Sequence, residues 1–110
     1  MDERERLAWF RKHNLPDDAF DKFDKHVNCW WTQVKTMLDL QIMLTCNIEF
    51  YVTFKDEEYF IISEGDYRIY RAFNDEEIFQ TDDLDDFGEN ARIGENCEFY
   101  LKDVINELEW

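Results

Sequence analysis

Between Asp75 and Glu89 the chain carries Asp75, Glu76, Glu77, Asp82, Asp83, Asp85, Asp86 and Glu89, with no Lys or Arg among them. Carboxylates at this density have three readings: a solvated face that serves solubility, a cation site, or a surface that meets a basic partner. A calcium loop is disfavoured, because Asp83 and Asp85 would put Phe87 at the third ligand position and Gly94 where the bidentate Glu belongs. Catalysis lacks its other half. His13 and His26 are the only histidines and stand among Lys and Asp, where they read as surface residues. There is no Cys-x-x-Cys, His-Glu-x-x-His or Gly-x-Ser-x-Gly, and three glycines leave little material for a phosphate-cradling loop. The residues therefore imply no enzyme, no metal and no cofactor. Binding of a partner is the expected chemistry, with those eight carboxylates as its residues.

Charge sharpens that expectation. The chain has 27 Asp and Glu against 12 Lys and Arg, a net of −15. Residues 74–110 hold 13 acids against Arg92 and Lys102, so −11 of the total lies in the last third. Crowding like charges gains no stability, since each i,i+4 carboxylate pair on a helix costs roughly 0.2–0.5 kcal/mol. Direct binding to nucleic acid or to an anionic membrane is opposed by this field, whereas a basic protein is attracted. On a helix, Asp82, Asp85 or Asp86, and Glu89 would form one row of negative charge, and a duplex presents its phosphates as rows too.

The elements that must position these groups are those of an α+β domain spanning all 110 residues, in which 45% hydrophobic and 17% aromatic residues suffice for one core. Three widely spaced cysteines, Cys29, Cys46 and Cys97, make no disulfide framework and read as small buried apolar residues of a reducing compartment. No apolar run has the length of a signal peptide or membrane span, so a cytoplasmic protein is expected.

Residues 2–13 read as a helix burying Leu7, Phe10 and Trp9, ended by Asn14 to Asp18 around Pro16. Phe20, Phe23, Val27, Trp30 or Trp31, Val34, Leu38 and Gln41 then step by three and four, which predicts one long helix to about Leu40; residues 38–44 also alternate as a strand would. Ile48 to Phe54, Tyr59 to Ser63 and Tyr67 to Phe73 predict a three-stranded antiparallel meander, with Tyr67, Ile69 and Phe73 on one face and Ile78-Phe79 as a possible fourth edge strand. The long helix is expected to cover its apolar face. Short acidic helices follow: one capped by Thr81 with Leu84 and Phe87 inside, then, past a bend at Arg92 to Gly94, one over about 98–108 burying Leu101, Val104 or Ile105, and Leu108. Trp30, Trp31, Tyr100 and Trp110 read as core residues first and interface anchors second.

With that order in place, the stretch Ile48 to Leu108 resembles small acidic proteins of phages and mobile elements of low-GC Gram-positive bacteria. The resemblance lies in Phe-Lys-Asp-Glu-Glu-Tyr-Phe-Ile-Ile-Ser at 54–63, then Phe79-Gln80-Thr81-Asp82-Asp83-Leu84, then Leu101-Lys102-Asp103-Val104-Ile105, and it is similar to some anti-CRISPR proteins. It implies an inhibitor acting in the cytoplasm of a host bacterium, which mimics nucleic acid to occupy the duplex-DNA or guide-RNA site of a CRISPR effector or other nuclease. No binding residue transfers by motif. An immunity protein that neutralises a basic nuclease toxin would obey the same physics, and an adaptor or small enzyme subunit is the reading from another class.

Overall fold

The structure is a computed structural model and describes residues 1–24, 26–27 and 30–110. The first helix, α1 (Glu3–Lys12), starts where the Asp2 carboxylate accepts the Glu5 N–H at 2.8 Å. It stops at Asn14, whose φ of 58° lets the Leu15 and Asn14 N–H groups turn back onto the carbonyls of Phe10 and Arg11. Trp9 and Phe10 are buried and Leu7 packs partly beneath them, as the pattern predicts.

No single long helix follows. Among the described residues the segment forms two 3-10 turns, Ala19–Lys22 and Trp30–Gln33, and then a helix, α2 (Met37–Leu44). The competing force is local hydrogen bonding by polar side chains. The Asp39 carboxylate accepts the N–H groups of Lys35 and Thr36, and the Thr36 hydroxyl accepts that of Asp39, a reciprocal capping box that holds Thr36 extended. Gln33 and the backbone of Asp24 exchange two further bonds across the loop. The stepped apolar stripe is accordingly broken: Phe23 and Val34 are buried, while Val27 and Leu38 are exposed. Residues 39–44 are buried in succession, which is why they read equally as strand; α2 is a helix closed in on most sides. Cys29 and the side chain of Trp30 lie outside the described residues.

The sheet has four antiparallel strands in sequence order, β1 (Ile48–Phe54), β2 (Glu57–Ser63), β3 (Tyr67–Arg71) and β4 (Glu76–Thr81). Its connections are tight: Lys55 and Asp56 both take positive φ, the conformation of a two-residue hairpin turn, and Gly65 supplies the same at the next. Phe50, Ile61, Ile69 and Phe79 stand in register across the inner face. Tyr51, Phe60 and Tyr70 cross the outer face, with ring centroids 5.0 and 6.4 Å apart. Two expectations fail at the end of β3. Phe73 is 76% exposed, and Arg71 takes the inward place. The strand ends at Arg71 and the chain turns through Asp75 (φ 58°), whose N–H bonds the Arg71 carbonyl, so alternation does not reach Phe73.

After β4 comes α3 (Leu84–Asn90), with Leu84 and Phe87 buried as predicted. Asp83 rather than Thr81 caps it; the Thr81 hydroxyl instead accepts the Asp83 N–H one step earlier. α3 lies against α2 at Gly88, where a Cβ would sit 2.2 Å from Gln41 Nε2, and Gln41 donates to the Leu84 carbonyl. Two short strands, β5 (Arg92–Ile93) and β6 (Phe99–Tyr100), form a small hairpin through Gly94. Because Phe99 and Tyr100 pair in that hairpin, the final helix is shorter than expected: α4 covers Leu101–Val104 and a 3-10 turn covers Ile105–Glu107. Leu101, Val104, Ile105 and Leu108 are all buried, and Glu109 then bonds Thr53 on the edge of β1.

Candidate functional site

Strand β4 is the open edge of the sheet, and the eight carboxylates lie before, along and after it. Asp75, Glu76 and Glu77 gather at its start; Asp82 and Asp83 follow its end; Asp85, Asp86 and Glu89 ride on α3. Six residues at about 3.3 Å each separate the two ends by roughly 17–20 Å. The predicted helical row therefore does not form: Asp82 lies ahead of the helix, and the charges divide along an edge strand.

Three of the eight are neutralised within the molecule. Asp85 turns inward against α1, where Lys12 reaches it at 2.5 Å, His13 at 2.7 Å and the Trp9 indole N–H at 3.1 Å. Glu89 pairs with Lys102 at 2.9 Å, and Glu76 stands 3.8 Å from Arg71. The other five, Asp75, Glu77, Asp82, Asp83 and Asp86, have no Lys or Arg partner among the described residues. Their bonds are to neutral groups: Glu77 accepts from the Tyr70 hydroxyl, Asp82 from Gln80, and Asp86 from Asn90. Gln80 also reaches Asp66, a carboxylate that is itself paired with Arg68 at 3.0 Å.

The two helix carboxylates differ in what holds them charged. Burial pushes Asp85 up, but Lys12, Trp9 and His13 outweigh it and bring the group below the ordinary carboxylate value of 3.8. Asn90 and Thr81 hold Asp86 below it as well. A carboxyl lowered in the folded state stabilises the fold above its unfolded value, and that contribution is lost as pH falls through the folded one. Parent and Asp85→Asn should therefore differ in unfolding free energy by about 1–2 kcal/mol at neutral pH, and the difference should shrink as pH falls through and below the ordinary carboxylate value. Urea titrations across that range measure the difference.

A second constellation, which sequence reasoning missed, lies where the β1–β2 turn meets the β5–β6 hairpin. Arg71, with 8% of its side chain exposed, bonds Glu57 at 2.6 Å and the carbonyls of Gly94 and Glu95 at 2.9 Å. The Tyr59 hydroxyl donates to Glu57 and accepts the Gly94 N–H, and burial pushes it up to about 12. A cavity of about 580 Å³ opens over this group, between Phe54, Phe73 and Phe99. Its one signal in the sequence is an arginine on the strand face otherwise formed by Tyr67 and Ile69. The cysteines also depart from expectation. Cys46 and Cys97 are half-buried, not buried, and each thiol faces a guanidinium, Arg6 at 3.3 Å and Arg71 at 3.8 Å.

Among the described residues no cluster of three His, Cys, Asp or Glu could hold a metal ion, and no helix is long and apolar enough to cross a membrane. No known protein family, curated protein or solved structure matches the chain.

Proposed function

We propose that the chain is an acidic inhibitor, not an enzyme, that binds the basic nucleic-acid-binding surface of a host defence nuclease, a CRISPR effector above all, in the cytoplasm of a bacterial cell. The supporting observation is the set of five carboxylates, flanking β4 and opening α3, that pair with no Lys or Arg among the described residues. A duplex presents about one phosphate charge per 1.7 Å, and against a partner surface built for it the chain sets Asp75 and Glu77 at one end of β4 and Asp82, Asp83 and Asp86 beyond the other. Charges at an open sheet edge also discourage pairing with another strand, which leaves the edge free for a partner of opposite sign.

The test is displacement of duplex DNA from guide-loaded RNA-guided nucleases. The chain should protect the target from cleavage, and its affinity should fall roughly tenfold or more from about 50 to about 200 mM salt, because steering between opposite charges is screened. Full cleavage in the presence of excess chain, with every effector class tried, would remove this reading.

A further inference from the structure

The cavity over Arg71 has the composition of a receptor for cations. Its volume of about 580 Å³ lies in the range of ligand-sized sites. Arg71 on its floor is a poor receptor for an anion, since its charge is met by Glu57 and Glu76 and its Nη2 is bonded to the Gly94 and Glu95 carbonyls. What the rim adds is negative: Glu95 and Glu98, against Lys55, while Glu76 is already shared with Arg71 at 3.8 Å. The walls are aromatic, and Phe73 stands 76% exposed at the mouth with no place in the core.

The chain itself shows where a cation rests. Lys55 Nζ lies 4.3 Å from the centroid of the Phe99 ring and 5.5 Å from that of Phe54. An ammonium on an exposed side chain over a ring face is a stand-in that a better cation can displace. A guanidinium is the better cation: it is planar, stacks on rings, sheds water more readily than an ammonium, and offers five donors to surrounding carboxylates. A surface built to hold nucleic acid is rich in that side chain.

We infer that this cavity receives an arginine side chain of the partner, its guanidinium stacked between Phe73 and Phe99 and held by Glu95 and Glu98, with Lys55 displaced. The inference rests on reading the chain as a binder of a basic surface, and it adds a socket to the charged edge.

The probe is N-acetyl-arginine-amide titrated into the full chain and followed by NMR, beside its citrulline and lysine counterparts. Saturable shifts should centre on Phe73, Gly94 and Phe99, with no response to citrulline and a weaker one to lysine. Phe73→Ala and Glu95→Gln, both at the exposed rim, should each weaken binding about threefold, and Lys55→Asn should tighten it about threefold by freeing the Phe99 face. Asn accepts the positive φ of position 55. Arg4→Gln, which removes an equal charge from exposed α1, should change nothing. Shifts spread over the acidic surface without saturation, an equal response to citrulline or lysine, or a Lys55→Asn variant that behaves as Arg4→Gln does would each overturn the socket. Nuclease inhibition by a chain with no such binding would overturn the socket alone. Arginine binding by a chain that inhibits no nuclease would overturn the proposed function and leave the socket standing.

Discussion

Replacing Arg71 with methionine should lower the free energy of unfolding by about 3–5 kcal/mol, the range for removing one partner of a buried ion pair. The side chain ties β3 to β2 through Glu57 and to the β5–β6 hairpin through the Gly94 and Glu95 carbonyls. Without it Glu57, a quarter exposed, keeps the Tyr59 hydroxyl but loses its countercharge, and two carbonyls lose their donor. A domain of this size has about 5–15 kcal/mol in all, so the loss is a large share of it. The melting temperature should fall by roughly 12–20 °C, and the urea midpoint should drop with its slope unchanged. Adding Glu57→Gln to Arg71→Met should restore part of the loss, because the unpaired charge disappears while its shape remains. A double variant as unstable as the single would assign the effect to the hairpin carbonyls. A loss under about 1 kcal/mol for Arg71→Met would mean that the guanidinium holds nothing together.

Arg71 also shows how far the sequence could be read. The meander was legible because its signals are local: alternation in Ile48 to Phe54, the polar run 55–58 and the turn at Gly65, although the first turn is only Lys55-Asp56 and β2 already starts at Glu57. Helices α1 and α3 were legible for the same reason, with Phe10, Leu84 and Phe87 inside where the spacing puts them. An inward arginine is unreadable locally, since the carbonyls that make it tolerable lie 23 and 24 residues further on. The same holds for Asp85, whose Lys12 partner is 73 residues away, so no count of charges near Asp85 could show that it is spent. The long-helix expectation fails differently. Its contradiction was local, in Thr36-Met37-Leu38-Asp39, a capping box that marks a helix start inside an apolar stripe read as continuous. Threefold stepping of apolar residues is satisfied by separate turns when polar side chains between them bond the backbone.

Neutralising the five unpaired carboxylates together, as Asp75→Asn, Glu77→Gln, Asp82→Asn, Asp83→Asn and Asp86→Asn, should weaken inhibition of the nuclease by roughly two hundredfold, at about threefold per exposed charge. The fold should survive. Asn serves as well as Asp at the helix cap formed by Asp83 and at the positive φ of Asp75, and none of the five makes a salt bridge among the described residues. Asp85→Asn with Glu89→Gln supplies the contrast. Those two charges already face Lys12, His13 and Lys102, so their loss should reduce stability and change inhibition by less than about threefold. The two variants, assayed in the same DNA-displacement experiment, separate a located surface from bulk charge. If inhibition falls in proportion to charges removed, whichever set carries the change, then only the net charge matters and the β4 edge is no site. If the fivefold variant inhibits as the parent does, the acidic edge does not stand in for nucleic acid at all. A loss confined to the five ties inhibition to the carboxylates that no Lys or Arg pairs with among the described residues.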